Sequence, residues 1–466
     1  MIFRNEKLEE FNKFLLNRKV AVIGLGTSNI PLLEYLHHFG ANISVFDNRN
    51  MENLPDEAIL KIKEFNLEAF LGYDSLNNLH GFDIIFRSPS CMPTLPELVE
   101  EEKRGAIVTS EIEMVLKMSP STIFGVTGSD GKTTTTRLIY EILKEKGYNC
   151  FLGGNIGVPL FTKINEMTPE DMVVIELSSF QLMNMEVSPN VSVITNISPN
   201  HLNIHKDYEE YIDAKKNIFR FQDKNGVLVL NYDNEITKNL AKEANGRIKF
   251  FSSTERIDDG IILDEEIIKE CKNRVRKHLL NTKDVKLRGR HNYENICAAL
   301  LATNDYVDTD TQIRAICNFK GVEHRLELVR EINGVKWYND SIGTSPTRTI
   351  AGLNAFDEEI VLIAGGYDKN LDYHPLAKPI LNKVKTLILM GQTAQKIYDV
   401  VQEETKEQNK KIDIYMCDSL ADTVRVANGL AKINQIVLFS PASASFDLFK
   451  NFEERGNIFK DLVNKI

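Results

Sequence analysis

Short apolar runs alternate along the chain with segments whose apolar residues recur at helical spacing. The first such unit has an apolar run at Val20–Leu25, a helical pattern over Leu32–Phe39 and a second apolar run at Ile43–Phe46. Ser28 or Asn29 is placed to cap the helix between the two runs. An apolar run, an amphipathic helix and another apolar run in this order predict a β-α-β unit.

The same alternation continues in two further blocks. The central block begins with a strand, a glycine-rich loop and a helix in STIFGVTGSDGKTTTTRLIYEILKEKGY, and it continues with DMVVIELSS, VSVITNIS and NYENICAALLATNDY. The last block contains VKWYND, EEIVLIAGGYDKN, KTLILMGQTAQKIYDVV and NQIVLFSPASASFDLF. The pattern predicts an α/β protein of three domains, at 1–110, 111–321 and 322–466, each a mostly parallel sheet with helices on both faces.

Length and composition narrow the class of protein. A chain of 466 residues is too long for one hydrophobic core. A net charge of −10 argues against a nucleic-acid or membrane-surface binder, since either needs a basic face. The six cysteines include no C-x-x-C pair, so neither a zinc site nor a disulfide framework is predicted. The charged N-terminal segment has no signal-peptide core and no apolar run could span a bilayer, so we expect a cytoplasmic protein.

The segment GVTGSDGKTTTT is close to the phosphate-loop pattern G-x-x-x-x-G-K-[ST], but its first glycine, Gly125, falls one residue early. Small residues over Thr127–Gly131 allow several backbone N–H groups to converge on an anion, and the following helix adds the positive end of its dipole. Lys132 can bridge the β- and γ-phosphates of a nucleotide, and Thr133 can place its hydroxyl on Mg²⁺. The segment therefore predicts a nucleotide phosphate site.

A second glycine-rich turn lies near the N-terminus. Gly24–Asn29 nearly matches the dinucleotide fingerprint G-x-G-x-x-G, and Asp47 follows at the distance of the ribose-binding carboxylate. Asn29 replaces the third glycine. Taken alone, this turn favours a dinucleotide-dependent oxidoreductase, but that interpretation leaves the Gly125–Thr133 loop unexplained.

The displaced loop, T-G-[TS]-[NDS]-G-K-[ST], resembles the ATP loop of the Mur ligase family, which includes the folylpolyglutamate synthetases. Further motifs that resemble this family follow in family order: GNIG, ELSSFQL, NHLNIH with YIDAKK, GRHNYEN, GVEHRLE, YNDS and SPASASFDLFKNFEERG. The pairing of H-R-x-E with S-P-A-x-A-S-x-D resembles the members that add D-glutamate. The resemblance implies an ATP- and Mg²⁺-dependent ligase with Rossmann-like first and last domains and a P-loop-type central domain. It further implies that this ligase joins D-glutamate to UDP-N-acetylmuramoyl-L-alanine through an acyl phosphate, releasing ADP and phosphate.

The resemblance also implies the residues of each site. The ATP set is Gly128, Ser129, Asp130, Gly131, Lys132, Thr133, Thr134, Asn292, Asn295, Arg325 and Asp340. The UDP-sugar set is Thr27, Ser28, Asp47, Arg49, Ser88, Gly154 and Asn155. The D-glutamate set is Thr344, Lys369, Ser445, Phe446 and Phe452. The catalytic residues would be Lys132, Glu176, His201 and Lys215, and the metal ligands Thr133, Glu176, His201 and, if carbamylated, Lys215.

Two positions depart from the family pattern. Ile342 stands where many members have a lysine, and Ser90 stands where the S-P-G loop has its glycine. The alternatives that remain are a related L-alanine-adding or folylpolyglutamate synthetase-like ligase, the oxidoreductase, and a non-catalytic nucleotide-binding switch. For the ligase we expect a monomer that acts on small molecules, with no nucleic-acid or membrane partner, and that closes its domains to exclude water.

Overall fold

The computed structural model describes residues 3–199 and 204–466. Its contacts divide the chain into two compact units, Met1–Asp284 with Tyr293–Cys317, and Val285–Asn292 with Asn318–Ile466. The first unit contains two sheets and the second contains one. The architecture is that of a three-domain α/β protein, and the exact domain boundaries near 110 and 321 stay a prediction.

The first sheet is fully parallel, with strand order β3-β2-β1-β4-β5. Its strands are β1 (Lys19–Ile23), β2 (Asn42–Asp47), β3 (Glu68–Leu71), β4 (Ile84–Arg87) and β5 (Ile107–Thr109). Its helices are α1 (Glu6–Leu15), α2 (Asn29–His38), α3 (Asp56–Glu64) and α4 (Pro96–Lys103), and α5 (Glu111–Met118) leads to the next sheet. Val20 and Val22 belong to one apolar cluster and Ala21 and Ile23 to another, so both faces of β1 are buried.

The central sheet has the order β14-β13-β12-β11-β10-β9-β6-β8-β7. Its strands are β6 (Thr122–Thr127), β7 (Cys150–Gly154), β8 (Met172–Glu176), β9 (Val191–Ile194), β10 (Val227–Asn231), β11 (Arg247–Ser252), β12 (Gly260–Asp264), β13 (Ile267–Lys272) and β14 (Val275–Asn281). Its helices are α6 (Lys132–Lys146), α7 (Ser179–Leu182), α8 (Tyr208–Arg220), α9 (Glu235–Leu240), α10 (Arg290–Thr303) and α11 (Thr309–Asn318). Because β6 pairs in parallel with both β8 and β9, their carboxyl ends meet at one edge.

The hairpins at one end of this sheet were missed by the sequence analysis. Strands β12, β13 and β14 pair antiparallel. The second hairpin turns at Asn273 and Arg274, whose φ angles of 50° and 68° are both positive. Such turns usually carry Asn-Gly, and Asn-Arg is a much weaker signal.

The third sheet has the order β15-β16-β20-β17-β18-β19, with only β15 antiparallel to its neighbour. Its strands are β15 (Glu327–Ile332), β16 (Val335–Asn339), β17 (Ile360–Ala364), β18 (Val384–Leu389), β19 (Asp413–Met416) and β20 (Ile436–Phe439). Its helices are α12 (Pro346–Asn354), α13 (His374–Lys383), α14 (Ala394–Gln408), α15 (Leu420–Leu430) and α16 (Phe452–Asn464). Leu362 and its neighbours Val361 and Ile363 lie in different apolar clusters, so both faces of β17 are covered. The predicted fold class is confirmed. Within the described part of the chain, no helix combines the length and apolar character that crossing a bilayer requires.

Candidate active site

The predicted phosphate loop connects β6 to α6, as expected. Strand β6 ends at Thr127 and α6 begins at Lys132, with Gly128 and Gly131 at φ angles of 149° and 81° between them. Lys132 Nζ donates to the carbonyls of Gly128 at 2.9 Å and Ser129 at 3.0 Å, so its ammonium group lies over the loop. This is where a cation can meet the terminal phosphates of a nucleotide held by the loop.

The early glycine has a packing cause. A Cβ added to Gly125 would lie 2.3 Å from Pro189 Cγ. Gly125 lies inside β6, three residues before the loop's first positive φ, at Gly128. It therefore serves strand packing, and the phosphate turn itself begins later.

Lys215 is the most perturbed cation of this region. It comes from α8 and is 1% exposed. Its Nζ donates to Gly128 O at 2.9 Å and to Thr127 Oγ1 at 3.2 Å, and it lies 4.7 Å from the centre of the Tyr211 ring. Burial lowers the pKa of Lys215 well below its usual value, and repulsion from Lys132 adds to this, although carboxylates at 130 and 176 oppose it. The amine is therefore shifted towards its uncharged, nucleophilic form.

Glu176 ends β8 and is 2% exposed, so its carboxylate is shielded from solvent. It lies beside Val126 and Gly154 in the sheet register. Its Oε1 accepts a hydrogen bond from Asn155 Nδ2 at 2.7 Å. Its Oε2 is buried and, among the described residues, no group donates to it. A buried carboxylate oxygen without a donor is costly, and a cation would compensate it.

The structure describes only some of the predicted metal ligands. His201 lies outside the described residues. Over residues 3–199 and 204–466, no three His, Cys, Asp or Glu side chains are grouped so that they could hold a metal. Mg²⁺ is commonly held by one or two carboxylates together with substrate phosphates and water, so Glu176 and the Thr133 hydroxyl are a suitable set of protein oxygens.

Several residues that fix the loop were missed as site residues. Asn196 accepts from the backbone N–H groups of Ser129 and Asp130, both at 2.9 Å. Thr195 Oγ1 donates to Asp130 O at 2.5 Å, and Tyr211 OH lies 2.9 Å from Ser129 Oγ. The available signal was their place in VSVITNIS and YIDAKK, directly beside residues that were chosen.

His205, the second histidine of NHLNIH, was also missed. Its Nε2 lies 2.9 Å from Ser179 Oγ and its Nδ1 lies 3.1 Å from Glu210 Oε1. Its ring stacks on Phe180 with 4.9 Å between ring centres. His205 thereby ties α7, which follows Glu176, to the start of α8, which carries Lys215.

In the first sheet, the structure brings Asp47 and Arg49 together as a pair. Arg49 donates to the two oxygens of Asp47 at 2.8 and 2.7 Å, and also to Leu25 O at 2.9 Å. Leu25 N donates to Asp47 at 2.8 Å. Burial alone would raise the pKa of Asp47, but these hydrogen bonds outweigh it and the pKa is lowered. The ionised carboxylate thus braces the turn after β1.

That turn also contacts the loop after β4. Gly24 has a φ of 84°, and a Cβ there would lie 2.4 Å from Ser88 Oγ. Ser88 Oγ in turn lies 3.0 Å from Ser90 Oγ, so the serine that replaces the usual glycine is used within the loop. Asn29, at the third glycine position, donates to Ile23 O and Gly24 O, both at 3.0 Å.

The expected helix cap differs from the observed one. Ser28 occupies the cap position of α2 but makes no side-chain capping bond, and Asn29 is already helical. Thr27 is exposed and Ser28 half-buried. Gly154 and Asn155 lie beside Glu176, at the edge of the central sheet.

The other residues that were predicted to bind ATP occupy several places. Asn295 accepts from Thr135 Oγ1 at 3.2 Å, beside the phosphate loop. Asn292 donates to Arg288 O at 2.6 Å at the start of α10. Asp340 follows β16, and its carboxylate accepts from Ser440 Oγ at 2.7 Å and Leu326 N at 3.2 Å. Thr134 Oγ1 is buried and has no hydrogen-bond partner among the described residues.

Burial raises the pKa of Asp340 from 3.8 to about 6, although its hydrogen bonds and the cations Arg325 and Arg348 oppose this. Since the folded state then holds the proton more tightly than the unfolded state, stability falls as pH rises from 3.8 to about 6 and is level above that. At neutral pH, the ionised Asp340 lowers the free energy of unfolding by up to about 3 kcal/mol. Asp340→Asn is expected to remove this destabilisation, because an amide does not ionise and can bond to Ser440 and Leu326.

The check is urea unfolding of wild type and Asp340→Asn between pH 4 and 8, followed by Trp337, the chain's single tryptophan, which lies in the second unit. The stability gain of the variant should grow up to about pH 6 and then stay constant. Asp413→Asn, at an exposed position, is the control. A difference that does not change with pH would contradict the assigned pKa.

The predicted D-glutamate residues cluster in part. Lys369 is exposed, and its Nζ lies 5.6 Å from the ring centre of Phe446, which is itself 59% exposed. Ser445 is buried beside them. Phe452 begins α16, and its carbonyl accepts from Ser341 Oγ at 2.7 Å. Thr344 lies half-buried in the loop after β16.

Arg455, in the closing segment KNFEERG, was missed as an organising residue. It is 1% exposed and donates to the carbonyls of Ser341, Ser443 and Ala444 at 2.8, 3.1 and 2.7 Å. It thereby joins the loop after β16 to the loop after β20. Ile342, in the first of these loops, contributes its backbone carbonyl as an acceptor for Arg348 Nη1 at 3.2 Å.

Models of one protein family match three consecutive segments of the chain. Three family models match: the Mur ligase MurD-like N-terminal domain over 18–110, the Mur ligase middle domain over 126–303, and the Mur ligase glutamate ligase domain over 324–443. UDP-N-acetylmuramoylalanine--D-glutamate ligase of Acetivibrio thermocellus is 50% identical over 464 residues, 99% of each chain. The protein of the same name from Ruminiclostridium cellulolyticum is 49% identical, over 99% of this chain and 100% of its own.

Solved structures share the fold at low sequence identity. UDP-N-acetylmuramate-alanine ligase of Thermotoga maritima has a TM-score of 0.59 at 18% identity, covering 96% of this chain and all of its own. A pseudomurein peptide ligase of Methanothermus fervidus has a TM-score of 0.56 at 20% identity, with 96% and 100% covered. Three family models along the chain and full-length identity near 50% to named relatives accompany the glycine loop between β6 and α6, and they lead to one conclusion: the chain belongs to the Mur ligase family.

Proposed function

We propose that this protein is an ATP-dependent ligase that joins D-glutamate to the L-alanine carboxylate of UDP-N-acetylmuramoyl-L-alanine, giving an amide, ADP and phosphate. The observation that carries the proposal is the convergence of Lys132, Glu176 and Lys215 on the loop that follows β6. The specificity for D-glutamate is supported by relatives of 50% and 49% identity that are named UDP-N-acetylmuramoylalanine--D-glutamate ligase.

The first half-reaction must bring a carboxylate to a triphosphate of the same charge. Backbone N–H groups of the loop and the start of α6 would hold the phosphates, with Lys132 placed over the loop to stabilise charge on the transferring group. The alanyl carboxylate oxygen attacks the γ-phosphorus, the bond to the β-phosphate oxygen breaks, and ADP leaves. The product is an acyl phosphate.

The donor set fits Mg²⁺. The unpartnered oxygen of Glu176 and the hydroxyl of Thr133 would hold one ion, and His201 and Lys215, as a carbamate, are the proposed ligands for a second. When bound, Mg²⁺ would neutralise charge on the triphosphate and assist transfer of its terminal group.

Carbamylation of Lys215 is supported by its surroundings. Its Nζ donates to two neutral oxygens, Gly128 O at 2.9 Å and Thr127 Oγ1 at 3.2 Å. The uncharged amine can add to CO₂, forming a nitrogen–carbon bond and releasing a proton. The side chain would then be an anion, and its repulsion from Lys132 would become an attraction.

The other substrates are assigned to the first sheet, the third sheet and the β7 edge of the central sheet. Thr27, Ser28, Asp47, Arg49 and Ser88 would hold the UDP end, and Gly154 with Asn155 the sugar-peptide. Thr344, Lys369, Ser445, Phe446 and Phe452 would hold D-glutamate, with Lys369 suited to its distal carboxylate. The D-glutamate amine attacks the acyl phosphate and phosphate leaves from the tetrahedral intermediate. The proposed setting is the cytoplasm and the proposed active form is a monomer.

The test is phosphate release with ATP and Mg²⁺ in four mixtures: the UDP-sugar-alanine substrate with D-glutamate, the same substrate with L-glutamate, UDP-N-acetylmuramate with L-alanine, and nucleotide alone. Only the first mixture is expected to give fast release with a matching amount of amide. Dependence on L-alanine would identify the preceding reaction instead. Slow phosphate release that no amino acid stimulates would identify a nucleotide switch. In a separate titration with a reduced nicotinamide dinucleotide, quenching of the nicotinamide fluorescence would favour the oxidoreductase.

A further inference from the structure

Arg87 links the first sheet to the central sheet from a buried position. It is the last residue of β4 and is 5% exposed. Its Nη2 donates to Met183 O at 2.8 Å and Phe180 O at 3.3 Å, and its Nη1 donates to Cys91 O at 3.2 Å. One guanidinium group therefore holds main-chain carbonyls of two segments that are about ninety residues apart in sequence.

Each of these segments adjoins a substrate region. On one side, Cys91 N donates to Ser88 O at 3.0 Å and Ser88 N donates to Ile23 O at 2.9 Å, which closes the turn packed against Gly24. On the other side, Phe180 lies in α7 and Met183 directly follows it. Helix α7 starts three residues after Glu176, so Arg87 spans from the UDP-binding turn to the edge of the phosphate site.

Two of the carbonyls that Arg87 binds, those of Phe180 and Met183, lie at the end of the four-residue helix α7. The start of α7 is already closed by a capping box between Ser178 and Gln181. The last carbonyls of a helix need donors from outside the helix. Asn217 Nδ2 donates to Leu182 O at 2.9 Å, and Arg87 supplies the donors for the carbonyls of Phe180 and Met183. Arg87 therefore helps to fix the orientation of α7.

Burying the charged Arg87 guanidinium group costs free energy. Burial lowers the pKa of Arg87 because the charged form loses its hydration. Glu113 attracts the cation, but that carboxylate is already bound by Lys117 Nζ at 2.8 Å and by Thr109 Oγ1 at 3.1 Å. A buried cation whose direct partners are neutral carbonyls contributes little net stability, whereas it defines geometry closely.

We propose that Arg87 is a positioning residue for the ligase reaction, an inference that rests on the proposed function. It fixes the turn that grips the UDP end against the segment that follows Glu176, so that the alanyl carboxylate reaches the γ-phosphate. Arg87 acts through Ser88 and α7 and does not itself touch the reacting atoms.

The experiment compares wild type with Arg87→Met, which keeps an apolar stem, and Arg87→Lys, which keeps a donor. Lys103→Met, at an exposed position of the first sheet's α4, is the matched control for loss of a cation. For Arg87→Met we expect kcat to fall on the order of 10- to 100-fold, as small misplacements do, with a smaller change in KM for the UDP-sugar and unchanged affinity for ADP. Arg87→Lys should recover part of kcat.

Hydrogen exchange on the whole protein separates this proposal from the proposed function. In Arg87→Met, amide exchange should rise both at Ser88–Cys91 and at Phe180–Asn184, whatever the protein catalyses. If exchange rises at one segment only or at neither, or if kcat is unchanged in an enzyme that does use D-glutamate, the positioning role is wrong. If wild type shows no D-glutamate-dependent turnover while both segments still loosen in the variant, the structural link stands and the proposed function fails.

Discussion

Lys132→Ala is expected to reduce D-glutamate-dependent turnover by about 10²–10³-fold or more, the usual effect of removing a group that stabilises charge in a transition state. The ammonium group lies over the phosphate loop, 2.9 and 3.0 Å from two of its carbonyls. A methyl group in its place leaves charge on the transferring phosphoryl group without this partner. The backbone N–H groups and the start of α6 remain, so the affinity for ADP should fall much less than kcat.

The measurement is steady-state phosphate release together with calorimetric titration of ADP. Lys144→Ala is the matched control, because Lys144 is an exposed lysine on the same helix, with its Nζ 5.2 Å from the centre of the Tyr140 ring. The control should retain wild-type turnover. Near-normal turnover of Lys132→Ala would remove the assigned role of the loop, whereas an equal loss in both variants would point to damage to α6.

Glu176→Gln is expected to have the second large effect, a loss of turnover on the order of 10²-fold or more with a higher Mg²⁺ requirement. The amide keeps an acceptor for Asn155, which donates at 2.7 Å, but it replaces the unpartnered carboxylate oxygen by a group that cannot bind a cation. Stability without nucleotide should not fall, because a buried carboxylate is costly when one of its oxygens has no donor among the described residues. Activity and stability are therefore expected to move independently.

The check is turnover as a function of Mg²⁺ concentration, with thermal unfolding measured without nucleotide. Glu170→Gln, at an exposed position just before β8, is the control and should behave as wild type. If Glu176→Gln keeps both full turnover and the wild-type Mg²⁺ dependence, Glu176 is no metal ligand. If it simply unfolds, the buried carboxylate has a structural role that the contacts of its two oxygens do not explain.

Most of the fold could be predicted from local sequence patterns. The strand at 122–127, the loop to Gly131 and the helix from Lys132 were predicted from an apolar run, closely spaced glycines and helical periodicity. The position of Glu176 at a strand end followed in the same way. The β12–β14 hairpins were missed because Asn273-Arg274 is an uncommon pair for a turn with two positive φ angles.

The surroundings of the site residues could not be predicted from local sequence patterns. Lys215 lies on α8 and is buried against a loop 87 residues away, and this burial lowers its pKa. Asp47 and Arg49 were expected to bind ligand, and the structure shows them bound to each other and to the turn after β1. His205 was missed although it ends the quoted motif NHLNIH, and Arg87 was missed because two of the carbonyls that it binds lie on another element.

The α/β class, the order of the elements in the three blocks, the glycine loop before α6 and, through the motifs, the family could be predicted from residue order alone. These properties depend on periodicity, glycine placement and residue spacing, which act over a few residues. The folded chain was needed to show which oxygen of Glu176 has no donor among the described residues, how deeply Lys215 is buried and which carbonyls Arg87 binds. Burial and hydrogen bonding arise from contacts between distant segments, and the local pattern of a single chain does not record them.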